Sequence, residues 1–217
     1  MLLANNERTD LPLPDGADNP SVISLFVSEG RIYAAGGYDI DGNQIDVACI
    51  WVDGQRIDLT GSGEEGQCAS IVVDNGTIYA AGYFDANNSK SACYWKIPEG
   101  GRPERVDLDM PEWSEDPLAL SATISDGKLY LAGVYSDADY KSYSNYWTDG
   151  VRTDLLASEN ATAYSIAVDG SDVYVAGDYG ENYTPPCYWK NGALTLLPLY
   201  GEPYYNLITA KVCDGSF

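Results

Sequence analysis

Short runs of alternating apolar and polar residues, or of four to eight apolar residues together, follow one another along the chain, with tight-turn residues between them. Residues 165–207 show the pattern once through: 165–168, the turn Asp169-Gly170-Ser171, 173–177, a polar loop, 187–190, Asn191-Gly192 and 193–197. Runs of this length, rich in Val, Ile, Tyr and Trp and joined by Asn-Gly or Asp-Gly, predict antiparallel strands linked by hairpins. No segment sustains a 3.6-residue apolar period, so almost no helix is expected.

The pattern recurs. Ile32-Tyr33-Ala34-Ala35-Gly36 returns as Ile78-Tyr79-Ala80-Ala81-Gly82, Leu129-Tyr130-Leu131-Ala132-Gly133 and Val173-Tyr174-Val175-Ala176-Gly177, with the tyrosines 46, 51 and 44 residues apart. Each copy carries a later tryptophan (Trp51, Trp95, Trp147, Trp189), preceded in three copies by Cys49, Cys93 or Cys187. A leucine follows the tryptophan by eight residues in three copies, and by thirteen in the second, where Ile97-Pro98-Glu99-Gly100-Gly101 reads as a loop insertion. Four strands in each unit of 40–50 residues predict an all-β fold, a β-propeller of four-stranded antiparallel blades.

Both chain ends read as partial copies. Arg8-Thr9-Asp10-Leu11 matches the fourth-strand phrase Arg56-Ile57-Asp58-Leu59, with Leu3 where tryptophan stands elsewhere, and 209–217 matches a first strand. The expectation is one domain over 1–217, with full repeats at about 21–69, 70–120, 121–164 and 165–207 and partial repeats at 1–20 and 208–217. That gives five blades, or a fragment of a larger propeller. A closing blade built from both ends lacks its second strand, so completion by another chain, and hence oligomerisation, is a further expectation.

Composition narrows the partners. The 217 residues hold 33 acidic against 12 basic side chains, a net charge of −21. Nucleic acid binding needs Lys and Arg to displace phosphate counterions, so no nucleic acid partner is expected, and anionic membrane surfaces are equally repelled. No run of 18 apolar residues exists, so no membrane insertion is expected. The first residues lack a charged segment and an apolar stretch long enough for a signal peptide. Five cysteines without a CxxC predict small buried apolar residues rather than disulfides or a zinc site.

The absence of histidine removes the Ser-His-Asp and Cys-His nucleophiles and the usual general base. What remains is carboxylate chemistry. Glu29, Asp74, Asp126, Asp169 and Asp214 recur at one repeat position, where a hairpin turn itself calls for Asp. The loop from Asp39 to Asp46 alternates oxygen donors around a glycine, which makes Asp39, Asp41, Asn43 and Asp46 candidate ligands for calcium, the one cofactor suggested. Loop aromatics Tyr140, Tyr143, Tyr183, Tyr204 and Tyr205, with the unscheduled Trp113, are candidate ligand contacts, since such rings stack on sugars while polar neighbours bond the hydroxyls. Tyr38, Phe84, Tyr135 and Tyr179, two residues after each repeat glycine, are expected to pack between blades.

Tyr-x-Ala-Gly, Cys187-Tyr188-Trp189-Lys190-Asn191-Gly192 and the following leucine resemble uncharacterised bacterial repeat proteins of β-propeller type. The resemblance covers essentially the whole chain, and it implies an extracellular or cell-surface location. The expected function is a non-catalytic recognition module that binds a protein or a glycan on one propeller face. The alternatives are a carboxylate-based enzyme acting on carbohydrate and a structural spacer of a larger surface protein.

Overall fold

In the computed structural model, the described residues are 2–4, 7–40, 46–61, 63–86, 89–180 and 185–198. They form strands throughout, and the chain divides into two compact units, 1–107 and 108–217. Unit 1 opens with a two-stranded pair, β1 (Leu2–Ala4) and β2 (Glu7–Thr9). Two four-stranded sheets follow: β3 (Ala17–Ser28), β4 (Arg31–Ile40), β5 (Asp46–Val52), β6 (Gln55–Asp58), then β7 (Glu65–Asp74), β8 (Thr77–Ala86), β9 (Ser89–Ile97), β10 (Glu104–Asp107). Unit 2 has β11 (Glu115–Ser125), β12 (Lys128–Ser136), β13 (Ser142–Thr148), β14 (Val151–Glu159), then β15 (Ala161–Asp169), β16 (Asp172–Tyr179), β17 (Pro186–Lys190), β18 (Ala193–Leu196). Every sheet is an antiparallel up-and-down meander in chain order. That is the architecture of propeller blades, four of them among the described residues.

The turns explain the meander. Asp53-Gly54, Asn75-Gly76, Asp126-Gly127, Asp149-Gly150 and Asn191-Gly192 all have both residues at positive φ, the geometry whose twist matches that of the flanking strands. The turn carboxylates and amides also reach sideways. The Ile32 N–H donates to Asp53 Oδ1 at 2.9 Å, Leu129 N–H to Asp149 Oδ1 at 3.0 Å and Val173 N–H to Asn191 Oδ1 at 2.9 Å. In these three sheets the third-to-fourth hairpin thereby caps the start of the second strand.

The repeat register is the same in every sheet. Trp51 stands opposite Ala34 and Arg56, and Trp95 opposite Ala80 and Arg105, so the insertion after Ile97 is absorbed in its loop. Leu3 pairs with Arg8 in β1–β2, as Trp51 pairs with Arg56, and the amino-terminal pair is therefore the last two strands of a repeat. The complementary carboxy-terminal segment, and with it ring closure, lies outside the described residues.

First strands begin four to six residues earlier than the alternation predicts, at Ala17, Glu65, Glu115 and Ala161 rather than at 21, 70, 121 and 165. The cause is a β-bulge in each. Pairing slips between Val22 and Ser24, Cys68 and Ser70, Ala119 and Ser121, and Ala163 and Ser165. An inserted residue inverts the inside–outside alternation, which cuts one long strand into two on paper. The bulge also accounts for the repeat glycine. It brings a carbonyl so close that a Cβ on Gly36 or Gly82 would collide with the main-chain oxygen of Ser21 or Gln67.

The cores lie between successive sheets of a unit. In unit 1, Tyr33, Ala35, Ile50 and Val52 of the first sheet pack with Cys68, Ile71, Ala80, Phe84 and Trp95 of the second. In unit 2, Ala132, Tyr130 and Tyr146 meet Ile166, Val175, Cys187 and Trp189. The four repeat tryptophans are fully buried. Each ring removes roughly 200 Å² from water, on the order of 5 kcal/mol before ordering entropy is subtracted. Cys49, Cys93 and Cys187 are buried free thiols facing the repeat glycines, and burial pushes all three up from the ordinary thiol range.

Candidate functional site: a paired carboxyl group in unit 1

β4 ends on Tyr38-Asp39-Ile40 and β5 begins on Asp46-Val47, and their register places Asp39 directly opposite Asp46. Like charges so placed repel, so the pair persists only if a proton or donors compensate it. Both occur here. A second irregularity of β3, between Asp18 and Ser21, carries Asn19 at φ +46°, and its amide donates to Asp39 Oδ2 at 2.9 Å. From the neighbouring sheet the Tyr83 hydroxyl donates to Asp46 Oδ2 at 3.3 Å.

The two carboxyls are thereby made unlike. Asp39 is 9% exposed, and the Asn19 amide, with a hydrogen bond shared with Asp46, holds it below the usual carboxylate range. Burial, reinforced by the hydrogen bond to Asp39 and its charge, pushes Asp46 up to about 6. Of the two, Asp46 holds a proton the more tightly, and Asp39 is the one that ionises first. Burial and the adjacent Asp46 push the Tyr83 phenol up to about 12, and Lys90 Nζ lies 4.2 Å from the centre of its ring. A carboxyl that keeps its proton beside one that gives it up readily is a proton-transfer pair.

The recurring acids suggested for catalysis lie elsewhere. Glu29 and Asp126 are turn residues with φ +51° and +50°, and Asp74 and Asp169 sit at strand ends beside hairpins. Their role is to turn the chain, at the opposite end of the second strand from Asp39. Asp214 lies outside the described residues. Of the four candidate calcium ligands, Asp39 and Asp46 are the pair just described, while Asp41 and Asn43 lie outside the described residues. Among those described, no group of three or more His, Cys, Asp or Glu is placed to hold a metal ion.

Unit 2 gathers two of the candidate ligand contacts. Trp113 packs edge-on against Tyr135 and Tyr143, which stack on each other with centroids 5.5 Å apart. Tyr140 is 85% exposed, at φ +61° in the turn before β13. Tyr183, Tyr204 and Tyr205 lie outside the described residues. Phe84, buried, and Tyr179, half-buried, pack in the cores between successive sheets as expected, whereas Tyr38 is buried among Ala34, Val47 and Trp51 of its own sheet and Tyr135 against Trp113 and Tyr143; Tyr38 and Phe84 lie beneath the guanidinium groups of Arg56 and Arg105. Tyr83 and Asn19 could not be singled out from sequence, because one comes from the adjacent repeat and the other from a bulged strand.

No protein-family model matches the sequence, and no curated protein matches it. Solved structures do. The Trypanosoma rangeli sialidase in complex with sialic acid is 10% identical at a TM-score of 0.59, over 90% of this chain and 39% of that one. The GH43_1 enzyme from Xanthomonas citri complexed with xylotriose is 13% identical at 0.44 over 83% and 72%, and the Bombyx mori GH32 beta-fructofuranosidase 10% identical at 0.43 over 87% and 52%. The chain thus spans 39% of the sialidase's length. Such identities speak for the fold, a β-propeller. One expectation is corrected by them. The sialidase that shares the fold is an enzyme, which counts against the expected non-catalytic recognition module and against the reading of the chain as no enzyme.

Proposed function

We propose that the protein is a carboxylate-based enzyme that cleaves glycosidic bonds, with Asp46 as general acid and Asp39 as general base. One observation carries the proposal: two carboxyls face each other across β4–β5, Asp39 accepting from the Asn19 amide and Asp46 from the Tyr83 hydroxyl. Glycoside hydrolysis needs one carboxylic acid to protonate the leaving oxygen and one carboxylate to activate water or attack the sugar. Here the pair shares a hydrogen bond, closer than the roughly 5–9.5 Å of glycosidase pairs, so substrate must enter between them. The Asp46 proton passes to the bridging oxygen as its bond to the anomeric carbon breaks. Asp39 takes a proton from the attacking water, and exchange with solvent restores the starting pair. Tyr83 holds the Asp46 oxygen that does not carry the proton. Because the fold likeness is to carbohydrate-active enzymes, a glycan is the partner, and an extracellular or cell-surface setting suits such a substrate.

The test is hydrolysis of a panel of polysaccharides and aryl glycosides by the whole chain, with Asp39→Asn and Asp46→Asn alongside and with EDTA or calcium added. Loss of about 10²–10⁴ in rate in either variant, insensitive to EDTA, is expected. Turnover that survives in both variants overturns the assignment. Turnover that follows calcium instead makes the same carboxyls a cation site.

A further inference from the structure

Four of the five tryptophans are fully buried, whereas Trp113 is 55% exposed. Its position is nonetheless fixed. It sits in a turn closed by the Ser114 N–H donating to the Pro111 carbonyl at 3.0 Å, and it meets Tyr135 and Tyr143 edge-on at 5.5 and 5.6 Å, with interplanar angles of 64° and 77°. Tyr143 is itself anchored, its hydroxyl donating to Asp137 Oδ2 at 3.0 Å. Asp137 is held in turn by the backbone N–H groups of Asp139 and Lys141. An exposed indole so braced is preorganised, and little rotamer freedom is lost when something stacks on it.

A polar rim adjoins it. Tyr143 stands opposite Glu159 in the β13–β14 register, so the two side chains share a face, and Glu159 is ion-paired with Lys141. Beyond Glu159 lies a hollow of about 230 Å³, lined also by Asn160, Tyr179 and Gly180. A flat ring beside hydrogen-bonding groups and a shallow hollow fits a sugar, which offers a face of C–H groups and a rim of hydroxyls.

We propose that Trp113 and Tyr143 form a stacking subsite for a neutral pyranose unit of a polysaccharide, with Glu159 and Lys141 bonding its hydroxyls. The proposal rests on the carbohydrate reading of function, to which it adds a substrate class. Neutrality follows from charge. Asp137, Asp139 and Glu159 outnumber Lys141 around the ring, in a chain of net charge −21, so an acidic sugar is repelled.

Because the other indoles are buried, Trp113 reports on its own occupancy. The whole chain is titrated with neutral xylo-, cello- and malto-oligosaccharides and with an acidic sialylated trisaccharide, and tryptophan fluorescence is followed. A saturable change with at least one neutral oligosaccharide, and none with the acidic one, is expected. Trp113→Tyr should weaken binding several-fold and Glu159→Gln by about tenfold, both with unchanged circular dichroism; binding to Trp113→Ala, followed by calorimetry, should be lost. Hydrolysis of the same oligosaccharides is followed in parallel, which separates this subsite from the hydrolytic pair: a chain that binds but never hydrolyses leaves the subsite standing and removes the enzyme. No response to any neutral oligosaccharide, an equal response to the acidic one, or binding unaltered by Trp113→Ala overturns the proposal.

Discussion

The indole N–H of Trp51 donates to the main-chain carbonyl of Pro12 at 3.1 Å, reaching back to the residue that follows Leu11 at the end of the preceding repeat. The relation recurs: Trp147 donates to Asp109, after Leu108, at 3.1 Å, and Trp189 to Leu156, after Leu155, at 2.9 Å. The repeat tryptophan is thus linked to the residue just after the leucine that marks the preceding repeat. Trp95 departs from the rule, since its N–H has no partner among the described residues. Trp51→Phe should therefore cost more stability than Trp95→Phe, by about 1–3 kcal/mol, which leaves the Pro12 carbonyl unpaired in the first case only. Equal losses in chemical denaturation would contradict the link.

Asn145 occupies the place that Cys49, Cys93 and Cys187 take in the other sheets, and it is as deeply buried as they are. Neither its Nδ2 nor its Oδ1 has a partner among the described residues. A buried amide without hydrogen bonds costs roughly 1–3 kcal/mol, so Asn145→Cys should stabilise the protein and raise its Tm by about 2–4 °C per kcal/mol. A lower Tm would mean that the amide is satisfied.

Two glycines separate crowding from backbone strain. Gly82 faces the Gln67 carbonyl, and Gly82→Ala should cost about 3 kcal/mol because neither backbone can retreat. Gly127 is at φ +70° with open space where a Cβ would go, and Gly127→Ala should cost only about 1–2 kcal/mol, the ordinary left-handed penalty. Reversed magnitudes in urea titrations would remove the bulge as the explanation of the repeat glycine.

The proton on Asp46 has a signature in stability. Its ordinary value is 3.8 and its folded value about 6, so between these pH values the folded state binds the extra proton. The contribution is fully present below about pH 4 and is lost as pH rises through 6. Asp46→Asn should remove that decline from the Tm-versus-pH curve, while Asp39→Asn, which deletes the charge and hydrogen bond that reinforce the shift but leaves the burial of Asp46, should shrink the decline without abolishing it. Hydrolysis should likewise fall above about pH 6, as the acid loses its proton. A Tm curve unchanged by Asp46→Asn would place the proton elsewhere.

Hairpins, strand count and tryptophan register were legible in the sequence because each is local: Asn-Gly and Asp-Gly fix a turn, and the turn fixes its neighbours. The bulges are hidden by the alternation they break, although the sequence carries a signal of them. Ser24, Ser70, Ser121 and Ser165 keep the same 46-, 51- and 44-residue spacing as the repeat tyrosines. An unpaired residue before each breaks the alternation on which strands are recognised. The candidate site was half legible. Asp39 and Asp46 stood out as oxygen donors, but their pairing needed the β4–β5 register, and Tyr83 needed the packing of one sheet on the next. Trp113 was visible as an extra aromatic, whereas its company with Tyr135 and Tyr143 arises only when β11 to β13 are assembled.

The bulge serines carry a sense of direction. Ser24 accepts the N–H of Ile71 at 3.3 Å in unit 1, and Ser121 that of Ile166 at 3.3 Å in unit 2. In both, the earlier sheet supplies the acceptor and the later one the donor, so the surfaces joined are different and neither complements itself. Such head-to-tail joints do not close by a two-fold axis. A truncated chain ending at one of them would carry a donor face at one end and an acceptor face at the other, and its copies would add into rings or filaments instead of stopping at dimers.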